Sequence, residues 1–297
     1  MDIIAILLGA LAAFGAGTLA ASIGAVNAFI LTGIMAIVGG VAQCLGTPDG
    51  LTGIVAFGTV LGPHLSFAAG AAATAYAKKI GKINSGTALG QGLASLGEPK
   101  VLAVGGIFGI IGWAFGSLLI PYVFGTLLPV NTDNPGMAVV ISGVIARFAF
   151  GKRGLLSAKP SFLSKGKDLG GVLLRGIAFS LMVACTAVAL KTANVKLDGY
   201  AIIIFGLAAV SLIFPGMASW HHIGIISGLA VVTALVDLQM APAAAVLMSV
   251  GCGTGAALLC NFENCLINTD VDSHIDGEGF SICLMTIVIS AIKLICA

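Results

Sequence analysis

The feature of this sequence that most constrains its fold is a series of apolar stretches along almost the whole chain. We find about ten, near residues 3–22, 24–45, 51–77, 101–128, 136–150, 169–191, 200–214, 218–236, 241–262 and 280–296. About 17 to 25 apolar residues can cross the hydrocarbon core of a bilayer as an α-helix. The stretches are continuously apolar, without the alternation that is typical of membrane strands. The pattern therefore predicts transmembrane helices.

The scarcity of charge supports the same class of protein. Charged residues make up 9% of the chain, against about 25% in soluble domains, and the mean hydropathy is +1.10. Such a surface suits lipid rather than water. We therefore expect an all-α polytopic membrane protein of about ten transmembrane segments. Its expected location is the bacterial plasma membrane, with the lipid bilayer as its partner. The net charge of only +2 gives no reason to expect a nucleic-acid partner.

Glycine is abundant, with 42 residues, and three G-x-x-x-G spacings occur inside apolar runs. These are Gly105/Gly109, Gly112/Gly116 and Gly251/Gly255. Small residues let membrane helices approach closely, within one chain or between the subunits of a homo-oligomer. We expect the seven cysteines to serve as small buried apolar residues, because no C-x-x-C pair is present.

Several apolar runs contain features that break a helix. Gly62-Pro63-His64 lies inside the run 51–77, and Pro215-Gly216 separates two runs with almost no loop. Proline removes a backbone hydrogen bond and kinks or ends a helix. The stretch NSGTALGQGLASLGEP, residues 84–99, is too polar to face lipid and too rich in small residues for an ordinary loop. We expect broken helices at the prolines and a re-entrant or cavity-lining segment at 84–99.

A basic connection divides the chain near its middle. Residues 151–168 contain Lys152, Arg153, Lys159, Lys165 and Lys167. Basic residues favour the cytoplasmic side of membrane proteins. We therefore predict a first membrane repeat over residues 1–150, a cytoplasmic connection over 151–168, and a second membrane repeat over 169–297.

The two halves contain similar short features in the same order. Each has an Asp-Gly pair, then Phe-Gly, a proline, histidine and Asn-Thr-Asp. In the first half these are Asp49-Gly50, Phe57-Gly58, Pro63, His64 and residues 131–133; in the second they are Asp198-Gly199, Phe205-Gly206, Pro215, His221-His222 and residues 268–270. The order predicts an internal duplication into two pseudo-symmetric repeats. About five spans per half would make the repeats inverted, an arrangement typical of transporters with a solute site near the midplane.

Polar side chains within or beside the apolar runs are the candidates for a substrate or ion pathway, because such groups usually face a cavity. They are His64, Asp133, His221, His222, Asn261, Glu263, Asn264, Asn268 and Asp270. Glu263 is the sharpest candidate, since flanking asparagines can hydrogen bond its carboxyl group. His64 and Glu263 are the candidates for coupling to a proton or Na⁺. A polar end of a span for Glu263, and an interfacial cluster with Trp220 for the paired histidines, stay open as alternatives.

The segment after Glu263 concentrates charge in an oily chain. Asp272, His274 and Asp276 alternate with other residues, so on an extended segment they share one face. Carboxylates with histidine suit a divalent metal such as Zn²⁺ or Mn²⁺. A vestibule or gate, and a plain solvated connection, are the alternatives to a metal site.

Three functions follow from these features. The first is a transporter (a permease, secondary carrier or channel) that moves a small polar or ionic solute between two homologous halves. The second is an intramembrane metal-dependent enzyme, with Glu263 as general base. Its metal ligands would be Asp270, Asp272, His274 and Asp276, together with His221 and His222. The third is a scaffold subunit of a membrane complex. Nucleotide-binding and hydrolase motifs are absent from the sequence, so the transporter hypothesis does not include an ATP-driven pump.

Overall fold

A computed structural model of the protein describes residues 3–48 and 50–296. The chain is 73% helical, and the described residues contain no strand. Their main helices are α1 (Ile3–Ile23), α2 (Ala25–Cys44), α3 (Phe67–Lys79), α4 (Pro99–Leu127), α5 (Asn134–Phe150), α6 (Gly166–Thr192), α7 (Tyr200–Ile213), α8 (His221–Asp237), α9 (Pro242–Ile267) and α10 (Gly277–Cys296). A π-helical turn, Leu51–Ala56, and a 3₁₀ turn, Ala94–Leu96, lie in the connections. The predicted helical class is confirmed.

Six of the described helices are long and apolar enough to cross a membrane. They are α1, α2, α4, α6, α9 and α10, while α5, α7 and α8 are shorter apolar helices. The predicted count of ten spans is therefore not confirmed, because four of the ten apolar runs form helices too short to be counted. The run 51–77 is not one helix: the chain leaves helical geometry between Ala56 and Phe67, around Gly62-Pro63. Asp49, from the first Asp-Gly pair, lies outside the described residues.

Small residues fill the interior of the protein, and large apolar residues lie on its surface. Its core is built mainly from alanine and glycine, as at Ala13, Ala20 and Ala21 of α1. The outer face of α1 instead presents Ile3, Leu7 and Leu11, whose side chains are 58–70% exposed. A water-soluble protein buries its large apolar residues, whereas lipid is as apolar as leucine and gives no such drive. This distribution is compatible with a multi-pass membrane protein.

Each half of the chain packs mainly within itself. In the first half, α1 packs on α3 and α4, and α3 also contacts α4 and α5. In the second half, α6 packs on α8 and α9, and α8 also contacts α9 and α10. The main helix contacts between the halves are α2 with α7 and α5 with α10.

Glycine makes the closest helix contacts. On α1 and α4, a Cβ added at Gly105 would lie 2.8 Å from the Gly17 carbonyl oxygen. On α2 and α7, a Cβ at Gly206 would lie 2.6 Å from the Gly33 carbonyl oxygen. Backbones this close leave no room for a side chain. Of the predicted G-x-x-x-G pairs, Gly105/Gly109 lies on the α1–α4 contact, Gly112/Gly116 faces His64, and Gly251 has no neighbour within 4 Å of an added Cβ.

Two connections are tied to helix ends and thereby position the site. In the basic connection, the backbone N–H groups of Ser157 and Ser161 donate to Leu266 and Cys265 at the end of α9. In the polar segment 84–99, the Leu89 carbonyl accepts a hydrogen bond of 3.1 Å from the Val26 N–H at the start of α2. Both connections are thus folded against the helices.

Candidate functional site

A cavity of about 510 Å³ lies between the two halves of the chain. Its walls come from α2, α7, the break before α3, and the first turns of α5, α8 and α10. The polar and charged residues on its wall are Thr52, Thr132, Asp133, Asn134, Ser219, His221, His274, Asp276 and Glu278. Leu89 also lines the cavity, so the segment 84–99 reaches it at this residue. A cavity-lining role was one of the two predicted for this segment. Both halves therefore contribute to one concave site.

The first turns of α5 and α10 meet at the cavity and have the same local structure. Asp133 Oδ1 accepts a 2.6 Å hydrogen bond from the Gly136 N–H, and Asp276 Oδ2 accepts a 2.8 Å hydrogen bond from the Gly279 N–H. These are N-cap contacts, in which a side-chain oxygen satisfies a free N–H of the first turn. A Cβ at either glycine would lie within 3.0 Å of the other's carbonyl oxygen. Asp133 therefore corresponds locally to Asp276, and not to Asp270 as the two Asn-Thr-Asp segments predicted.

The two capping carboxylates have opposite pKa shifts. Burial raises the pKa of Asp133, and the hydrogen bond from Gly136 acts against that rise. Burial also acts to raise the pKa of Asp276, but the hydrogen bond and charge of His274, with smaller contributions from His221 and the Gly279 N–H, outweigh it and lower the pKa. Asp276 therefore gives the cavity a fixed negative charge at neutral pH.

Three ionisable side chains form a group at the start of α10. His274 Nε2 lies 3.4 Å from Asp276 Oδ1. Each of His274, Asp276 and Glu278 offers one ligand atom within 4.8 Å of those of the other two. Carboxylate and imidazole groups in such a group can bind a metal ion or exchange protons. The predicted metal residues His274 and Asp276 are thus together, with Glu278 beside them in place of Asp272.

Another part of the cavity wall is aromatic. The Phe29 ring packs edge-on against Phe67 and Phe205, with centroid distances of 5.8 and 5.4 Å. Phe57 lies 5.1 Å from Phe205 by the same measure. His221 packs 4.7 Å from Phe29 and joins this wall to the polar one. Aromatic rings and carboxylates around one cavity form an environment that attracts cations.

The paired histidines at the start of α8 face two different cavities. His221 lines the large cavity, and its Nδ1 lies 2.8 Å from Ser219 Oγ. His222 lines a second cavity of about 180 Å³, together with Arg175, Cys260 and Asn264. Adjacent residues of a helix point about 100° apart, so the pair cannot serve one site. Trp220, the proposed surface anchor, is only 8% exposed and packs on Phe179.

Ser219 and Glu278 line both cavities. Only these two residues are shared, so they form the partition between the large cavity and the small one. Glu278 also belongs to a second group of three possible ligands, formed with His222 and Cys260, whose ligand atoms lie within 4.8 Å of one another. Glu278 is therefore a possible ligand in both cavities.

Glu263 lies beside this partition, fully inside the protein. It is 1% exposed, and its Oε2 accepts a 2.9 Å hydrogen bond from Asn268 Nδ2. Its Oε1 has no hydrogen-bond partner among the described residues. Asn268 Nδ2 also lies 3.1 Å from Asn264 Oδ1. Of the three flanking asparagines, Asn268 hydrogen bonds Glu263 and Asn264 is linked to it only through Asn268. Asn261 instead bonds Ser164 in the basic connection.

Arg147, near the end of α5, holds the segment between α9 and α10. It is 0% exposed. Its five N–H groups make five hydrogen bonds of 2.7–3.0 Å, to Leu155 O, Ile267 O, Asn268 Oδ1, and both the Oγ and carbonyl oxygens of Ser273. Every donor of the guanidinium is satisfied. Arg147 therefore fixes the backbone that leads to His274 and Asp276.

Three other predicted site residues lie outside the large cavity. The His64 ring packs against Gly116 of α4, 2% exposed, with Nε2 3.5 Å from Ser117 Oγ. Asp270 is exposed and has a positive φ of 54°. Asp272 Oδ2 accepts a 2.8 Å hydrogen bond from the Lys152 N–H. The structure brings together Asp133, His221, His274 and Asp276, and it separates His64, Asp270 and Asp272 from them.

Arg147, Cys260 and Glu278 were not among the site residues predicted from the sequence. One signal could have identified Arg147, because it is the only charged residue in the apolar run 136–150 and intramembrane charges are rarely incidental. Cys260 had no distinguishing pattern. Glu278 is separated from Cys260 by the whole turn between α9 and α10, so only the fold brings them together.

Comparisons with known proteins place the chain in a family. Neither the search of curated proteins nor the search of solved structures found a match. One family matches residues 2–165, which is just over half of the chain and contains α1 to α5. The protein therefore belongs to DUF7973, a family of unknown function.

Proposed function

We propose that this protein is a multi-pass transporter of the bacterial plasma membrane that carries a small polar or ionic solute through the large cavity. The observation that carries the proposal is the cavity itself. It has a volume of about 510 Å³, within the usual 300–1,000 Å³ of small-molecule sites. Its polar wall is built from helix ends of both halves, and its aromatic wall from α2, α3 and α7 and the break before α3.

The contacts between helices support two pseudo-symmetric repeats, α1–α5 and α6–α10. Contacts α1–α3, α1–α4, α3–α4 and α3–α5 in the first half have counterparts α6–α8, α6–α9, α8–α9 and α8–α10 in the second. The two main contacts between halves join counterparts, α2 with α7 and α5 with α10. Five elements per repeat is an odd number, so we propose ten membrane segments in inverted repeats, some of them broken. Transporters with this symmetry place their solute between the repeats.

The chemistry of the cavity favours a cation among polar and ionic solutes. Asp133, Asp276 and Glu278 lie on its wall, and no lysine or arginine does among the residues that line it. The phenylalanine rings that line the same cavity can attract a positive charge through their π electrons. A carboxylate-lined cavity of low polarity concentrates cations.

A secondary carrier fits better than an open pore, because the partition at Ser219 and Glu278 divides the pathway. We propose that a proton or Na⁺ is the coupling ion. Glu263 is the candidate for binding it, since Oε1 is buried and unpartnered close to the partition. His64 has less support for this role, because its ring packs against α4 outside the large cavity.

The decisive experiment is solute uptake by proteoliposomes. Purified full-length protein would be tested on a solid-supported membrane against ammonium, choline, amino acids, phosphate and divalent metal ions, with and without a pH or Na⁺ gradient. We expect a transport current for at least one cation and a strong reduction by Asp276→Asn. Asp168→Asn is the matched control, because Asp168 is exposed in the first turn of α6. Absence of current across the panel would remove the proposal.

The two alternative functions have less support. The enzyme hypothesis needs Asp270 and Asp272 to share a metal with His274, but Asp270 is exposed and Asp272 bonds the Lys152 backbone. A scaffold subunit would not need ionisable groups around a cavity. Loss of uptake in Asp276→Asn with unchanged folding would count against the scaffold.

A further inference from the structure

Three side chains that bind transition metals meet at the small cavity. His222 comes from the first turn of α8, Cys260 from α9 and Glu278 from the first turn of α10. One nitrogen, one sulfur and one carboxylate oxygen lie within 4.8 Å of one another. The three residues come from separate helices, so packing of the second half, rather than a local sequence pattern, assembles the group.

The histidine of this group is buried without being satisfied. His222 is 5% exposed, and its Nδ1 has no hydrogen-bond partner among the described residues. Buried side-chain nitrogens nearly always have a partner, so an orphaned one beside a cavity is compatible with a bound ion or water. Cys260 is 6% exposed, and its only hydrogen bond among the described residues is a weak one of 3.3 Å from Asn264 Nδ2. Both groups lie beside a cavity of about 180 Å³ that can admit an ion.

We propose that His222, Cys260 and Glu278 bind one divalent transition-metal ion of the zinc class. Imidazole nitrogen, thiolate sulfur and carboxylate oxygen are the ligands that zinc takes in proteins. Mg²⁺ and Ca²⁺ take oxygen ligands and would make poor use of the sulfur and nitrogen. The site goes beyond the proposed transport function, because it binds the ion whether or not the protein moves it.

The spacing suits a metal after a small adjustment. Ligands about 2.0–2.3 Å from a tetrahedral zinc lie roughly 3.3–3.8 Å apart. The ligand atoms now lie up to 4.8 Å apart, so side-chain movements of about 1 Å would bring them to the spacing of a zinc site. The small cavity, where Asn264 also lies, leaves the fourth position to water. Such an open position lets an ion exchange.

Charge and protons balance in the bound state. The metal displaces the thiol proton of Cys260, so that the S–H bond breaks, the S–metal bond forms, and the proton leaves to water in the small cavity. The thiolate and the Glu278 carboxylate together neutralise the two charges of the ion. Arg175 lines the same cavity and does not offer a ligand.

The test is binding of Co²⁺ and Zn²⁺ to the purified full-length protein in detergent. Co²⁺ bound to a thiolate has a sulfur-to-metal absorption band in the near ultraviolet, which reports Cys260 directly. We expect about one equivalent of Co²⁺ with this band, displaced by Zn²⁺. Cys260→Ser should abolish the band and weaken binding about a hundredfold or more, since even the hydrogen-bond partners of ligands contribute about 10–100-fold.

The control is Cys252→Ser, a buried cysteine two turns earlier on α9. It should keep the band and the affinity. His222→Ala provides a second variant, and thermal unfolding of each variant shows whether it is folded. Wild-type protein that binds neither ion, or a band that persists in Cys260→Ser, overturns the proposal. Binding that is lost in His274→Ala and retained in Cys260→Ser also overturns it, because the ion would then lie in the large cavity. These outcomes are independent of uptake by liposomes.

Discussion

The strongest test of the structural argument is substitution of Arg147. The side chain is fully buried and donates five hydrogen bonds to the basic connection, the end of α9 and the segment before α10. Lysine at this position keeps the positive charge but offers three donors instead of five. Methionine keeps the length of the side chain and removes both the charge and all donors. Comparing the two variants separates the charge from the hydrogen bonds.

The expected magnitude follows from the hydrogen bonds. A hydrogen bond to a charged group contributes about 1.5–3 kcal/mol, so losing two in Arg147→Lys should cost about 3–6 kcal/mol. A loss of that size should lower Tm by about 5–10 °C, since the entropy of unfolding is about 2.1 cal/mol/K per residue. Arg147→Met should cost more, because methionine replaces none of the five hydrogen bonds and leaves their buried acceptors without a donor. Total stabilities are only about 5–15 kcal/mol, so this variant should be close to unfolding.

The assay is thermal unfolding in detergent, followed by the fluorescence of a thiol-reactive dye, with limited proteolysis of the connection 151–165. Arg153→Lys is the matched control, because Arg153 lies exposed in the basic connection. A Tm for Arg147→Lys within about 2 °C of wild type would refute the reasoning, because that shift corresponds to less than about 1 kcal/mol.

Three further predictions test the packing, the polar cluster and the caps. Gly105→Ala should lower Tm by an amount equivalent to about 1–3 kcal/mol, because its Cβ would lie 2.8 Å from the Gly17 carbonyl, whereas Gly251→Ala should be neutral in the same thermal scan. Asn268→Asp should lower Tm, because it removes the amide that donates a 2.9 Å hydrogen bond to Glu263 Oε2 and places a second carboxyl group there, while Asn131→Asp at an exposed site should not. Asp133→Asn should keep Tm near that of wild type, since asparagine caps helices about as well as aspartate, while Asp133→Ala should lose about 1 kcal/mol. Lower uptake by Asp133→Asn without a change in Tm would assign the charge to transport, and an equal loss of Tm in both variants would contradict the capping role.

Much of the fold could be predicted from the sequence, because apolar length and breaker residues act locally. Nine of the ten apolar runs form helices close to the predicted bounds, and the break around Gly62-Pro63 is present. Length limited the prediction of spans. A run such as 200–214 is as apolar as a longer one, but the helix Tyr200–Ile213 is too short to be counted as a span. Sequence composition alone does not show how such a helix is oriented in a bilayer.

The site was less predictable, because it depends on contacts between distant segments. Asp133 and Asp276 each cap a helix by accepting a hydrogen bond from a glycine three residues later. This Asp-x-x-Gly pattern is visible in both segments of the sequence. The repeated Asn-Thr-Asp was a stronger match in letters, and it paired Asp133 with Asp270 instead. His64 and His221 follow prolines in similar contexts, but packing places one against α4 and the other in the cavity. Four of the five hydrogen bonds of Arg147 go to residues 267–273, more than a hundred positions along the chain. Cys260 meets His222 and Glu278 from two other helices.

The close contact between α2 and α7 has a consequence for motion. At Gly33 and Gly206, and again at Gly40 and Gly199, backbone lies directly on backbone. A helix contact between interlocking side chains must unlock before the helices can shift, because each side chain occupies a groove of its partner. A smooth backbone surface has few such obstacles. Shear of α2 along α7 therefore requires few rotamer changes at these four glycines.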